Sequence, residues 1–299
     1  MTESISRMAQ RRALWLALAA NGGFLVVEAA GGVAFHSLAL LADAAHMLTD
    51  VAGLVVALVA QRLVDRPATS RHTFGLQRAE VLGAQANGLA LIAAAGLIIF
   101  EAARRVGSPG HVNGGGLLLV AAAGLVVNVA SAAVLARAAG RSLNMRGAFL
   151  HMALDAAGSV GAMAAGVAVV GWNAAWFDPA VSVLIGLLVV WSAWGLLRDT
   201  AHVLLEGTPK GIRPEQVEAS LAADPAVEAV HHLHMWNLAS DVPALSAHVI
   251  LNGERTLHDA QATGERLKAT LAESFGITHA TLELECHPCD GDHPSAVTL

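Results

Sequence analysis

The chain has 299 residues, of which 55% are hydrophobic and 14% charged, with a mean hydropathy of +0.55. Ordinary soluble domains carry about 25% charged residues, so a membrane protein is the first reading. The net charge of −6 argues against a nucleic-acid partner.

A helix needs about 20 mainly apolar residues to cross the hydrocarbon core. Six segments meet that requirement: 13–35, 38–61, 80–102, 114–137, 145–171 and 178–198. The first is too long for a signal-peptide core and lacks a small-residue cleavage site, so it reads as a span. Basic residues then set the orientation. Arg7, Arg11 and Arg12 precede the first span, and Arg62, Arg66, Arg71 and Arg78 flank the loop between the second and third. Arg137, Arg141 and Arg146 surround the loop between the fourth and fifth. Across the membrane, the first and last short loops carry no Lys or Arg, and the third-to-fourth connection carries Arg104 and Arg105. Both termini are therefore expected in the cytoplasm, with Trp172 and Trp176 at the outer interface.

After Leu197 the sequence turns polar, and 208–299 reads as a small soluble domain following a transmembrane domain over 1–207. "RPEQVEASLAA" predicts a helix with Pro214 near its first position. "VEAVHHLHMWNL" and "PALSAHVIL" read as strands. Leu257, Ala260, Leu267 and Leu271 share a helical face, and "THATLELEC" alternates as a strand does. The order α-β-β-α-β predicts a small α+β sandwich with helices on one face of a sheet.

The second span, "LLADAAHMLTDVAGL", holds Asp43, His46 and Asp50 in an apolar setting. A charged group at a helix centre within the bilayer costs about 2.5–3.5 kcal/mol, and such groups mark pathways or bound ions. His46 and Asp50 are four residues apart, on one face of the helix. The fifth span repeats the pattern in "FLHMALDAAGS", with His151 and Asp155. Two such helices face to face supply two nitrogen and two oxygen ligands, the number a tetrahedral Zn²⁺ site takes. A single pair is weak, because a lone His or Asp in a span often serves packing. Two pairs, each within a span, are far more specific. Asp43 lies on roughly the same side of its helix and is expected beside the pathway rather than on the metal. Asn87 in the third span and Asn128 in the fourth read as pathway groups or interhelical hydrogen-bonders.

The soluble part is rich in histidine. Alternation along a strand predicts that His232 and His234 point together, with His231 opposite. "ECHPCD" places Cys286 and Cys289 at a Cys-x-x-Cys spacing that suits zinc, and in a reducing cytosol a metal reading beats a structural disulfide.

"SLALLADAAHMLTDVAGL", "RHTFGLQRAEVLGAQANG", "RGAFLHMALDAAGSV", "FDPAVSVLIGLLVVWSAWGLLRDTAHVLLEGTP" and "VHHLHMWNL" together resemble the cation diffusion facilitator family, in its zinc-transporting branch. The resemblance covers nearly the whole chain, and the paired HxxxD motifs are its most specific part. It implies an α-helical membrane protein with six transmembrane helices and a C-terminal cytoplasmic α+β ferredoxin-like domain, working as a homodimer. It implies export of a divalent metal, zinc above all with Cd²⁺ or Co²⁺ possible, in exchange for protons, from an integral position in a bacterial inner membrane. His46, Asp50, His151 and Asp155 become the transport-site ligands, with the zinc branch assigned on His46. In the cytoplasmic domain, His231, His248, His258, Cys286 and Cys289 match the family's regulatory metal ligands. Two features depart from the family. The loop "RAAGRSLNMRGAF" has no His, and Leu76 stands where a second His would partner His72, so no metal site is assigned there.

Two other classes remain open on sequence. A membrane-embedded zinc metalloenzyme needs an activating Glu, as in HExxH, and none occurs here. A passive divalent cation channel sits poorly with a four-ligand cage, since a permeant ion must leave quickly.

Overall fold

A computed structural model describes residues 2–34, 38–105, 114–172 and 177–287. The chain divides into two compact units, Met1–Ala201 and His202–Leu299.

The first unit is built from long helices: α1 (Thr2–Ala34), α2 (Leu38–Val64), α3 (Ala79–Arg105), α4 (Gly114–Ala138), α5 (Leu143–Trp172) and α6 (Phe177–Leu204). One core joins α1, α2, α4 and α5 through Leu14, Leu54, Leu135, Met145 and Met152. A second joins α3 and α6 through Leu91, Ala95, Val189 and Ala193. Small residues let the backbones approach. A Cβ at Gly83 would come within 2.7 Å of the Ala60 side chain, and one at Gly186 within 2.6 Å of Ile99. For helices in lipid, as the sequence leads one to expect, hiding apolar groups from each other gains nothing, and close packing and hydrogen bonds do the holding. The outer surface is correspondingly apolar, with Leu97, Val126, Leu188, Trp191 and Trp194 exposed. Among the described residues, Ala79–Arg104 is long and apolar enough to cross a bilayer.

Polar ties reinforce the packing. Asn21 of α1 donates to Ser131 of α4 at 2.9 Å, and Asn144 of α5 donates to the Ala57 carbonyl of α2 at 2.8 Å. Each such bond is worth about 0.6 kcal/mol on average in a membrane bundle. The start of α5 is tied three ways. Ser142 caps it by accepting from the Met145 amide at 3.2 Å while donating to Glu80 of α3. Arg146 pairs with Asp199 of α6 at 2.6 Å.

The second unit has the element order expected from sequence: α7 (Pro214–Ala222), β1 (Val227–Ala239), β2 (Val242–Leu251), α8 (Leu257–Phe275) and β3 (His279–Glu285). The sheet order is β1-β2-β3, with β1 and β2 antiparallel and β2 and β3 parallel. Parallel strands need a crossover, and α8 supplies it. Thr256 caps α8 by accepting from the Asp259 amide, and Gly276 ends it at φ 68, the left-handed conformation that glycine adopts without strain. Alternate residues of β2, from Leu245 through Ala247 and Val249 to Leu251, meet Val217, Leu221, Leu267 and Leu271 in one core. The intervening residues face away from the helices.

β1 carries a bulge. His231 pairs with His248, but His234 pairs with Ser246, so three steps on β1 match two on β2. His232 takes up the extra residue at φ 49. Strict alternation therefore fails here. His231 and His232 stack edge to face at 5.0 Å, and each lies 5.2 Å from the His248 ring. The expectation that His231 points away from His232 is thus corrected, because the bulge turns the second residue onto the face of the first.

Truncating Leu271, which is fully buried in the core under the sheet, to Ala should destabilise the second unit by about 2–5 kcal/mol. Losing the cap through Thr256→Ala should cost about 1 kcal/mol. Urea unfolding of the two variants beside the wild-type chain checks both magnitudes and their order.

Candidate metal centres

In the helical unit, α2 and α5 bring Asp50, His151 and Asp155 together, with one ligand atom from each inside a 4.8 Å sphere of mutual distance. The helical period explains the arrangement. His151 and Asp155 are one turn apart on α5, and Asp50 comes from the facing side of α2. His151 Nε2 lies 3.0 Å from Asp50 Oδ1 and 3.7 Å from Asp155 Oδ2. Asp50 is only 2% exposed and His151 9%. A buried carboxylate with a half-buried one beside it calls for positive charge nearby, as protons or as a cation. Carboxylate oxygen and imidazole nitrogen, all from one pocket, form a donor set suited to Zn²⁺ and to similar divalent ions. His46 and Asp43 lie on α2, and their side chains fall outside the described residues. Asn87, on α3, is buried close by. A Cβ at Gly53 would lie 3.4 Å from Asn87 Oδ1 and 3.7 Å from His151 Cε1.

In the second unit, neighbouring strands align His231, His248 and Glu283 in one row, since His231 pairs with His248 and His248 with Glu283. Glu285, two residues on, shares the face. His231 Nε2 donates to Glu285 Oε2 at 2.9 Å, and His248 Nδ1 donates to Glu285 Oε1 at 2.7 Å. His248 Nε2 is 3.4 Å from Glu283 Oε2. His231, His248 and Glu285 form the second group whose ligand atoms lie within 4.8 Å of one another. Burial by itself would raise the pKa of Glu285. The hydrogen bonds from His231 and His248, with their charge, outweigh it and hold the carboxyl below its ordinary value. The group is thus an anion at neutral pH, as a metal ligand must be.

Sequence reasoning named His231 and His248 but not Glu285. The signal was the period-two run "TLELE", which puts Glu283 and Glu285 on one strand face, but the strand register that sets them against the histidines is not written in it. His258 lies in the first turn of α8 and Cys286 just beyond β3. Both are exposed and outside the group of three, so the structure does not bring them to His231 and His248. For His258 the reason is topological: α8 covers the core face of the sheet, whereas the histidines occupy the other. Cys289 lies outside the described residues.

Known proteins match over both units. A family model described as the cation efflux transmembrane domain matches residues 14–205, and one described as the cation efflux protein cytoplasmic domain matches 209–287. The cation efflux system protein CzcD of Alcaligenes sp. (strain CT14) is 41% identical over 93% of this chain and 88% of its own. The zinc transporter ZitB of Escherichia coli (strain K12) is 40% identical over 94% of this chain and 89% of its own. A cadmium, cobalt and zinc/H(+)-K(+) antiporter of Bacillus subtilis (strain 168) is 35% identical over 95% of this chain and 92% of its own.

The depressed pKa of Glu285 has a stability consequence. A carboxyl lowered from its ordinary 4.5 contributes stability that is in place above that value and is lost as pH falls through the lowered one. Denaturant titrations of the metal-free protein across the acid range should show this loss, and Glu285→Gln should remove that part of the profile.

Proposed function

The chain belongs to the cation efflux family, and from that premise we propose that it exports divalent metal, zinc foremost, in exchange for protons. It is a transporter and not an enzyme, and its family is one of integral membrane proteins. The bacterial relatives point to the inner membrane. We read α1 to α6 as six spans with both termini in the cytoplasm, in keeping with the arginine bias of the loops. The second unit is read as a ferredoxin-like cytoplasmic domain through which two copies form a homodimer, in line with its family match.

The observation that carries the reading is the convergence of Asp50, His151 and Asp155 between α2 and α5. His46, one turn before Asp50, completes a set of two imidazoles and two carboxylates. Asp43 and Asn87 serve the pathway beside it. Such a site exchanges metal for protons by simple competition. Its ligands bind metal when deprotonated, and histidine titrates near neutral pH, about 6.5 when unperturbed. Open to the cytoplasm, the site loads metal. Open to an acidic exterior, the imidazoles take protons and the metal leaves. Rocking of one helix group against another around a fixed site provides the alternation. The donor set suits Zn²⁺, and the relatives' names extend the range to Cd²⁺ and Co²⁺.

The cytoplasmic domain is read as a regulatory metal site at His231 and His248, with Glu285 as third ligand. Bound metal would stiffen this domain and bias the transport equilibrium through its differential affinity for the two states. Of the family-matched candidates, His258, Cys286 and Cys289 have weaker support than Glu285.

Proteoliposomes test the transport site directly. Asp50→Ala and Asp155→Ala should each abolish zinc-dependent proton flux while the protein still elutes as wild type. Normal rates in either variant would refute the site. A panel of Zn²⁺, Cd²⁺ and Co²⁺ in the same assay ranks the metals, and flux that ignores an imposed pH gradient would favour a channel.

A further inference from the structure

His151 offers Nε2 to the pocket, 3.0 Å from Asp50 and 3.7 Å from Asp155. Its other nitrogen, Nδ1, is buried and has no hydrogen-bond partner. An imidazole that ligates metal through one nitrogen carries its proton on the other, and that N–H almost always has an oxygen partner fixing the ring and its tautomer. The buried amide nitrogen of Asn87 is unpartnered too. Asn87 is 3% exposed.

The two groups line one space. The point where a Gly53 Cβ would sit lies 3.4 Å from Asn87 Oδ1, 3.7 Å from His151 Cε1 and 3.9 Å from His151 Nδ1. Gly53 is three residues beyond Asp50, on the same side of α2. On α5, Gly147 stands one turn before His151, where a Cβ would touch the Asn87 Cβ at 3.6 Å. Two glycines thus leave room for the α3 amide beside the α5 imidazole.

We propose that Asn87 is a positioning residue that holds His151 for metal through Nδ1. Without metal, a neutral His151 donates its Nε2–H to the Asp50 carboxylate, and Nδ1 presents a lone pair that the Asn87 amide N–H can meet. With metal on Nε2, the neutral ring carries its proton on Nδ1 instead, and the amide turns over to accept from it with Oδ1. A side-chain amide has both a donor and an acceptor, so it serves both states. This inference rests on His151 being a transport ligand.

Zinc-stimulated proton flux of the full chain in proteoliposomes tests it. Asn87→Ala should raise the KM for zinc about tenfold, the scale on which lost outer partners weaken metal sites, with little change in the maximal rate. Asn87→Asp retains an oxygen acceptor for the metal-loaded state and should recover most of that loss. Gly53→Ala puts a methyl in ordinary contact with both groups and should also raise KM. A wild-type KM in Asn87→Ala, or equal impairment in Asn87→Ala and Asn87→Asp, overturns the proposal, as does an unchanged KM in Gly53→Ala should the Asn87 variants fail to fold. His151→Ala separates the two levels. If it is inactive while Asn87→Ala behaves as wild type, the role of Asn87 alone falls. If His151→Ala transports normally, the underlying site falls and takes this role with it.

Discussion

Two carboxylates and an imidazole meet at one point between α2 and α5, buried where charge is costly. Separately, each would be a liability in an apolar bundle. Together they create a demand for a cation that protons or a divalent metal can satisfy, and the proposed transport exchanges one for the other. The rest of the helical unit serves this point. Small residues on α2 and α5 let the polar groups of α3 and α5 come within reach of one another.

The ties at the start of α5 belong to the same logic. This helix carries His151 and Asp155, so its position sets the geometry of the pocket. Ser142 fixes its first turn to Glu80 of α3, Asn144 fixes it to α2, and Arg146 reaches Asp199 of α6. Hydrogen bonds of this kind are individually weak. Several at one helix end hold its register more firmly than apolar packing, which tolerates sliding.

The second unit solves a related problem with a sheet. Its core face is filled by alternating apolar residues under α7 and α8. That leaves the other face free for polar groups, and there the strand pairing collects two histidines and a glutamate. The bulge at His232 adds a third imidazole to the same cluster. Backbone strain at a non-glycine residue is tolerated only where the surroundings over-determine it, and here both flanking strand segments are paired.

The sequence alone carried the periodic information. Apolar runs of helical length, the arginine bias and the four-residue spacing of His46 with Asp50 and of His151 with Asp155 are all local patterns, and helix geometry turns them directly into faces. Element order in the second unit was legible for the same reason. What the sequence could not hold was anything that depends on which residues of distant segments come opposite each other. Glu285 meets His231 and His248 only through the register of three strands, and a bulge of one residue reversed the expected direction of a side chain. His258 matched the family's ligand pattern in the sequence, but which face of the sheet its helix covers is written only in the topology. Asn87 beside His151 likewise follows from glycines on two other helices. Local periodicity is a property of the chain, but the meeting of side chains across elements is decided by packing.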